Sequence, residues 1–248
     1  MTGCRQLRPA SALFRAAALA LTASTGLQGA AMAAEMAKPD DAAAEGPACP
    51  GPAPQALVSA QIRLPSVSHD LTLSGPDIAR RAAEVEPRID HDHEWVDGTV
   101  GLTTVTFLSQ FDTQLRFRKV EKGVCVEFRR VSAVFGFTNM TVYVASEYGT
   151  ASCAYKEVLN HEHKHVEIFR NEVLKARRPF ADAIEYTIRS KTPFLAPDRE
   201  TAETMAQDML KAGVQPVLAN MWLQGDAKHE LLDSQESYRR TERHCADW

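Results

Sequence analysis

Near Gly149 the hydrophobic period of this 248-residue chain changes from two to about 3.6, dividing it into a strand-forming part and a helix-forming part. Between Thr99 and Ser146, Leu115 and Phe117, then Val124, Val126 and Phe128, then Met140, Val142 and Val144 alternate with more polar residues. Successive side chains of a strand point to opposite faces, so this is the pattern of half-buried strands. Gly123, Gly136 and Asn139 supply turns, and the spacing predicts an antiparallel meander of three to five strands. Beyond Gly149, Ser152 can cap a long helix through about Arg178, Pro179 can start a second, and Pro197-Asp198 can open a third. Upstream, Gln55 to Leu64 alternates loosely as a first strand. Asp77 to Glu86 reads as a short helix entered through Ser74-Gly75-Pro76 and stopped by Pro87. The expected fold class is α+β, an N-terminal antiparallel β-sheet region followed by a helical half.

The N-terminus sets an expectation about location. Arg5, Arg8 and Arg15 precede or interrupt a short apolar run, Leu13 to Leu21, and small residues ending Ala31-Met32-Ala33 follow. That is the pattern of a secretory signal peptide over residues 1–33. Residues 34–54, rich in Ala, Pro, Gly and acids, read as a flexible linker, and 55–248 as one domain. No later segment approaches 18 consecutive apolar residues, so no transmembrane segment is expected after cleavage, and the mature chain is expected to be secreted or periplasmic. Losing three arginines and no acid makes it more acidic than the formal −4 of the whole chain, which argues against nucleic acid as a partner. Cys49, Cys125, Cys153 and Cys245 remain. In an exported chain they suggest two disulfides, with three pairings that spacing does not decide.

Inside the helical part stands His161-Glu162-His163-Lys164-His165, a His-Glu-x-x-His motif. Histidines four apart on a helix share a face and can hold one metal ion. Two neutral nitrogen ligands keep zinc electrophilic, and Glu162, offset by one residue, can take a proton from a water that the metal activates. Val158, Leu159, Val166, Phe169 and Val173 form an apolar stripe beside the histidine face, which supports the helix.

The stretch Cys153-Ala-Tyr-Lys-Glu-Val-Leu-Asn-His161-Glu-His-Lys-His165 resembles a bacterial family of predicted secreted zinc-dependent proteases, within the zincin-like metallopeptidases. The likeness also touches Leu232-Asp233-Ser234-Gln235-Glu236-Ser237-Tyr238. It implies a zincin-like fold, zinc at His161 and His165, and Glu162 as the general base. Catalytic zinc takes three protein ligands. His229, one helical turn before Asp233, is the first candidate for the third, with Glu185 and Asp233 as alternatives. Tyr238 is placed to ligate weakly or to hydrogen-bond a developing oxyanion, while Glu172 reads as a surface or supporting residue.

His91-Asp92-His93-Glu94 is a second His-rich run, read as a charged loop. His69 is given no role, and Trp222 and Trp248 are read as packing residues. The expected function is a secreted or periplasmic zinc metallopeptidase acting on peptide, protein or cell-wall peptide. A non-catalytic metal-binding protein and a structural envelope protein are the alternatives.

Overall fold

The computed structural model describes residue 49, residues 55–85, residues 99–246 and residue 248. The signal-peptide pattern, nearly all of the linker and the His91–Glu94 run lie outside the described residues. Chain order is β1 (Leu57–Arg63), β2 (Ser68–Asp70), α1 (Gly75–Val85), β3 (Gly101–Val120), β4 (Gly123–Val144), α2 (Cys153–Lys191), β5 (Phe194–Ala196), α3 (Arg199–Leu232) and α4 (Gln235–Glu242).

The class is α+β, but the expected N-terminal antiparallel sheet is corrected. β4 is the axis of a mixed five-stranded sheet. β3 pairs antiparallel along one edge from Val120↔Gly123 to Gly101↔Val144. The other edge carries three short strands in series: β5 at Val124–Val126, β1 at Arg130–Gly136 and β2 at Thr141–Tyr143. β1 and β2 run parallel to β4. Where a meander of several strands was expected there is one long hairpin, because only Gly123 of the three expected turn residues lies at a turn. Gly136 and Asn139 lie within β4.

Bulges explain how so long a strand keeps one face apolar. The pairing register shifts between Gln114 and Leu115 and between Thr106 and Phe107, which leaves Arg129 and Thr138 as the extra residues on β4. Each extra residue flips the side-chain phase by one. The buried positions therefore run Val126, Phe128, then Val131, Ala133, Phe135, Phe137, then Met140, Val142, Val144, all in one cluster. α2 and α3 cover that face. Phe135 stacks on Phe180 of α2 with ring centroids 4.1 Å apart, and Trp222 of α3 meets Phe107, Phe137 and Phe169 edge-on. A smaller cluster of Ile78, Leu102, Tyr143 and Ala145 packs α1 on the opposite face.

Helix starts follow the local signals. Ser152 accepts from the Tyr155 amide at 3.0 Å and Asp198 from the Thr201 amide at 2.8 Å. Pro179 does not start a helix; it lies inside α2, and Pro216 lies inside α3. A proline removes one hydrogen bond and crowds the turn before it. Here Val173, Ala176, Phe180, Ile184 and Ile188 continue the buried stripe through it at helical spacing, and their burial outweighs the local cost. Disulfides join Cys49 to Cys125 and Cys153 to Cys245. No described helix is long and apolar enough to cross a membrane.

Phe135 is fully buried and stacked, so Phe135→Ala should destabilise the fold by about 3–5 kcal/mol through lost burial and a residual cavity. Denaturant unfolding monitored by circular dichroism checks this. A loss below about 1 kcal/mol would show that the β4–α2 seam repacks freely.

Candidate metal centre

His161 and His165 stand one turn apart on α2, and both are buried. Their Nε2 atoms are 3.1 Å apart, with ring planes at 71°. Asp233, the residue that caps the C-terminus of α3, brings Oδ1 to 3.0 Å from His161 Nε2 and 3.1 Å from His165 Nε2. This trio is a group that could hold a metal ion. Ligands about 2.0–2.1 Å from a tetrahedral zinc lie roughly 3.3 Å from one another, so the three atoms need to spread by only a few tenths of an ångström. Asp233 Oδ2 is buried and finds no hydrogen-bond partner among the described residues. Two imidazoles and one carboxylate also form a donor set of the open, catalytic kind, with a fourth position left over.

The sequence candidates for the third donor separate clearly. Asp233 reaches both imidazoles. His229 is fully buried but meets the far side of the His165 ring, Nδ1 to Nδ1 at 2.7 Å. Glu185 is exposed, on the same unbroken helix as the motif and more than six turns beyond His161, near Arg189. Glu172 is buried and paired with Lys175 on its own helix and with Lys228 of α3 across the interface.

His229 has a recognisable task in this geometry. Burial, then the neighbouring His165, push its pKa down from 6.5 to about 3, so it stays neutral. A neutral His229 can accept the Nδ1–H of His165, which leaves the Nε2 lone pair of His165 facing Asp233 and His161. Tyr238 of α4 stacks on His161 with centroids 5.3 Å apart, and its hydroxyl donates to Asp233 Oδ1 at 3.0 Å. Burial opposes the charge on Asp233, but the hydrogen bond with His161 and the adjoining His165 ring outweigh it and hold the carboxyl below its usual range.

Glu162 lies beside the trio without joining it. It is buried, and burial pushes its pKa up against the opposing pull of His165 and His161. The Thr103 hydroxyl of β3 donates to Oε2 at 2.8 Å, with the Glu162 carbonyl oxygen at 3.1 Å. Oε1 lies against Gly101, where an added Cβ would come within 2.5 Å of it and 2.7 Å of Val158. Only glycine lets α2 approach β3 this closely. Sequence reading missed Thr103 and Gly101, which lie about 60 residues upstream with no motif of their own. A cavity of about 60 Å³ opens between Gly101, His161, Glu162, Tyr238 and Trp248.

No family model, curated protein or solved structure matches this chain.

Removing the imidazole behind His165 should weaken metal binding while leaving all three donors in place. His229→Phe is expected to lower zinc affinity roughly 10–100-fold, and Asp233→Asn to lower it further. Competition titration against a chromogenic chelator measures both. Unchanged affinity in the two variants would dissolve the assigned set.

Proposed function

We propose that this chain is an exported zinc-dependent metallopeptidase that hydrolyses peptide or related amide bonds, with His161, His165 and Asp233 as the metal set and Glu162 as the general base. The reading rests on the convergence of three donor atoms at 3.0–3.1 Å from one another beside a buried carboxylate outside the group. Zinc held there would supply Lewis acidity, lowering the pKa of water toward about 7 and polarising the scissile carbonyl.

The protein's own groups divide the remaining work. Glu162 takes the proton of the attacking water and returns it to the leaving amine. Its burial raises proton affinity, which suits a base that must hold the proton between the two steps. Thr103 fixes Oε2 and leaves Oε1 on the cavity side. Peptide is favoured over other amides by the edge of the sheet. β4 occupies one side of β3, and among the described residues no strand pairs with the other. β3 begins at the cavity, so an extended peptide could add to it through main-chain hydrogen bonds. Two disulfides and the leader pattern fit an oxidising, extracytoplasmic setting, where proteins and cell-wall peptides are both available substrates. The likeness of the Cys153–His165 stretch to secreted zinc-dependent proteases supports the same reading.

Glu162→Gln should retain zinc and lose about 10²–10⁴-fold in turnover. Thr103→Val is expected to lose roughly tenfold, with Thr103→Ser near wild type, because only the hydroxyl's hydrogen bond is at stake. Cleavage of a denatured-protein and cell-wall peptide panel, with zinc content measured in parallel, decides the matter. Equal activity in wild type and Glu162→Gln would remove Glu162 as the base.

A further inference from the structure

The histidine between the two buried donors serves a different face of the helix. His163 is two residues from both His161 and His165, about 200° around α2 from each. It is partly exposed, and its Nε2 lies 2.9 Å from Nε2 of His69, an exposed residue of β2. The ring centroids are 5.2 Å apart and the planes differ by 17°. With the nitrogens that close and the centroids that far apart, the imidazoles meet head to head rather than overlapping.

Two neutral imidazoles cannot both donate in such a contact, so one Nε2 carries the hydrogen and the other offers its lone pair. Moving that hydrogen to Nδ1 of the same ring leaves two lone pairs side by side, with no proton released and no change of charge. The 2.9 Å separation equals that of two cis nitrogens about 2.0–2.1 Å from one cation, once the rings tilt to share it. The exposure of His69 leaves room for the tilt. Glu167 is exposed on α2 four residues beyond His163, on the same face and one turn along. Imidazole nitrogens with one carboxylate suit borderline divalent ions such as zinc, copper(II) and nickel(II).

We propose that His69 and His163, with Glu167 as the nearby carboxylate, form a second divalent-cation site that clamps the edge strand β2 to α2. It does not depend on the peptidase reading. It is open to solvent where the first group is buried, so its ion exchanges readily and binds more weakly.

The test is a titration of the purified chain with zinc, followed by copper(II) with electron paramagnetic resonance. Wild type should take up a second, weaker ion after the first, and copper there should show coupling to two nitrogens. His69→Ala and His163→Ala should each weaken the second ion at least tenfold and leave the first unchanged, and Glu167→Gln should weaken it less. His161→Ala/His165→Ala should do the reverse, losing the tight ion and keeping the weak one. Saturation of wild type at one ion would overturn the proposal. So would a second ion that survives His69→Ala, which would place it elsewhere, as at His91 and His93. Loss of peptidase activity in Glu162→Gln bears on neither outcome.

Discussion

The axial register between α2 and α3 is the constraint on which the candidate metal centre depends. Two helices of 39 and 34 residues lie antiparallel, and a slip of one residue would move a side chain by about 1.5 Å along and 100° around its axis. Several contacts hold them in place. At one end Gly213 lies against Thr187, where an added Cβ would come within 2.0 Å of the Thr187 hydroxyl oxygen. Further along, Glu172 of α2 takes Lys228 of α3, with Lys175 beside it. Burial pushes the Glu172 carboxyl up, but hydrogen bonds from Lys175 and Lys228 outweigh it and keep the group ionised. At the far end His229 meets His165, and Asp233 meets both motif histidines. A glycine roughly 39 Å along α2 from His161 thus helps set where a carboxylate falls beside it.

The sheet supplies the other half of the centre. β3 starts beside α2 and presents Gly101 and Thr103 to Glu162, so the carboxylate is gripped from a strand while the imidazoles are gripped from a helix. The two bulges in β4 keep an apolar face toward α2 along 22 residues. Without them Phe135 or Val142 would turn to the outer side, and α2 would lose the surface it sits on.

What could be read in the chain follows the range of the interaction responsible. His161, Glu162 and His165 were legible because their geometry comes from one turn of one helix, and Ser152 and Asp198 because capping is equally local. Asp233 was one candidate among three, since its arrival depends on how two long helices align, which no short window encodes. His229 was visible as a histidine one helical turn from Asp233, but its side of the His165 ring is again a matter of register. The parallel pairing of β1 and β2 was hidden for the same reason. Alternation tells that a strand is half-buried and is silent about its neighbour. The bulges did leave a trace: the steps from Phe128 to Val131 and from Phe137 to Met140 are three residues where two is the rule. Pro179 misled because a local penalty was set against a buried stripe that runs straight through it.

The Cys153–Cys245 bond closes a covalent ring around the helical half. All three donors, Glu162 and Tyr238 lie within the 92-residue span it encloses. One cut in the backbone anywhere inside that span opens the ring without dividing it, so the two ends of the break remain parts of a single covalent body. Against hydrolytic enzymes this is topological insurance. Nicks at the surface of α2 or α3 leave the donors tethered at high effective concentration, and the centre can outlast the integrity of its chain.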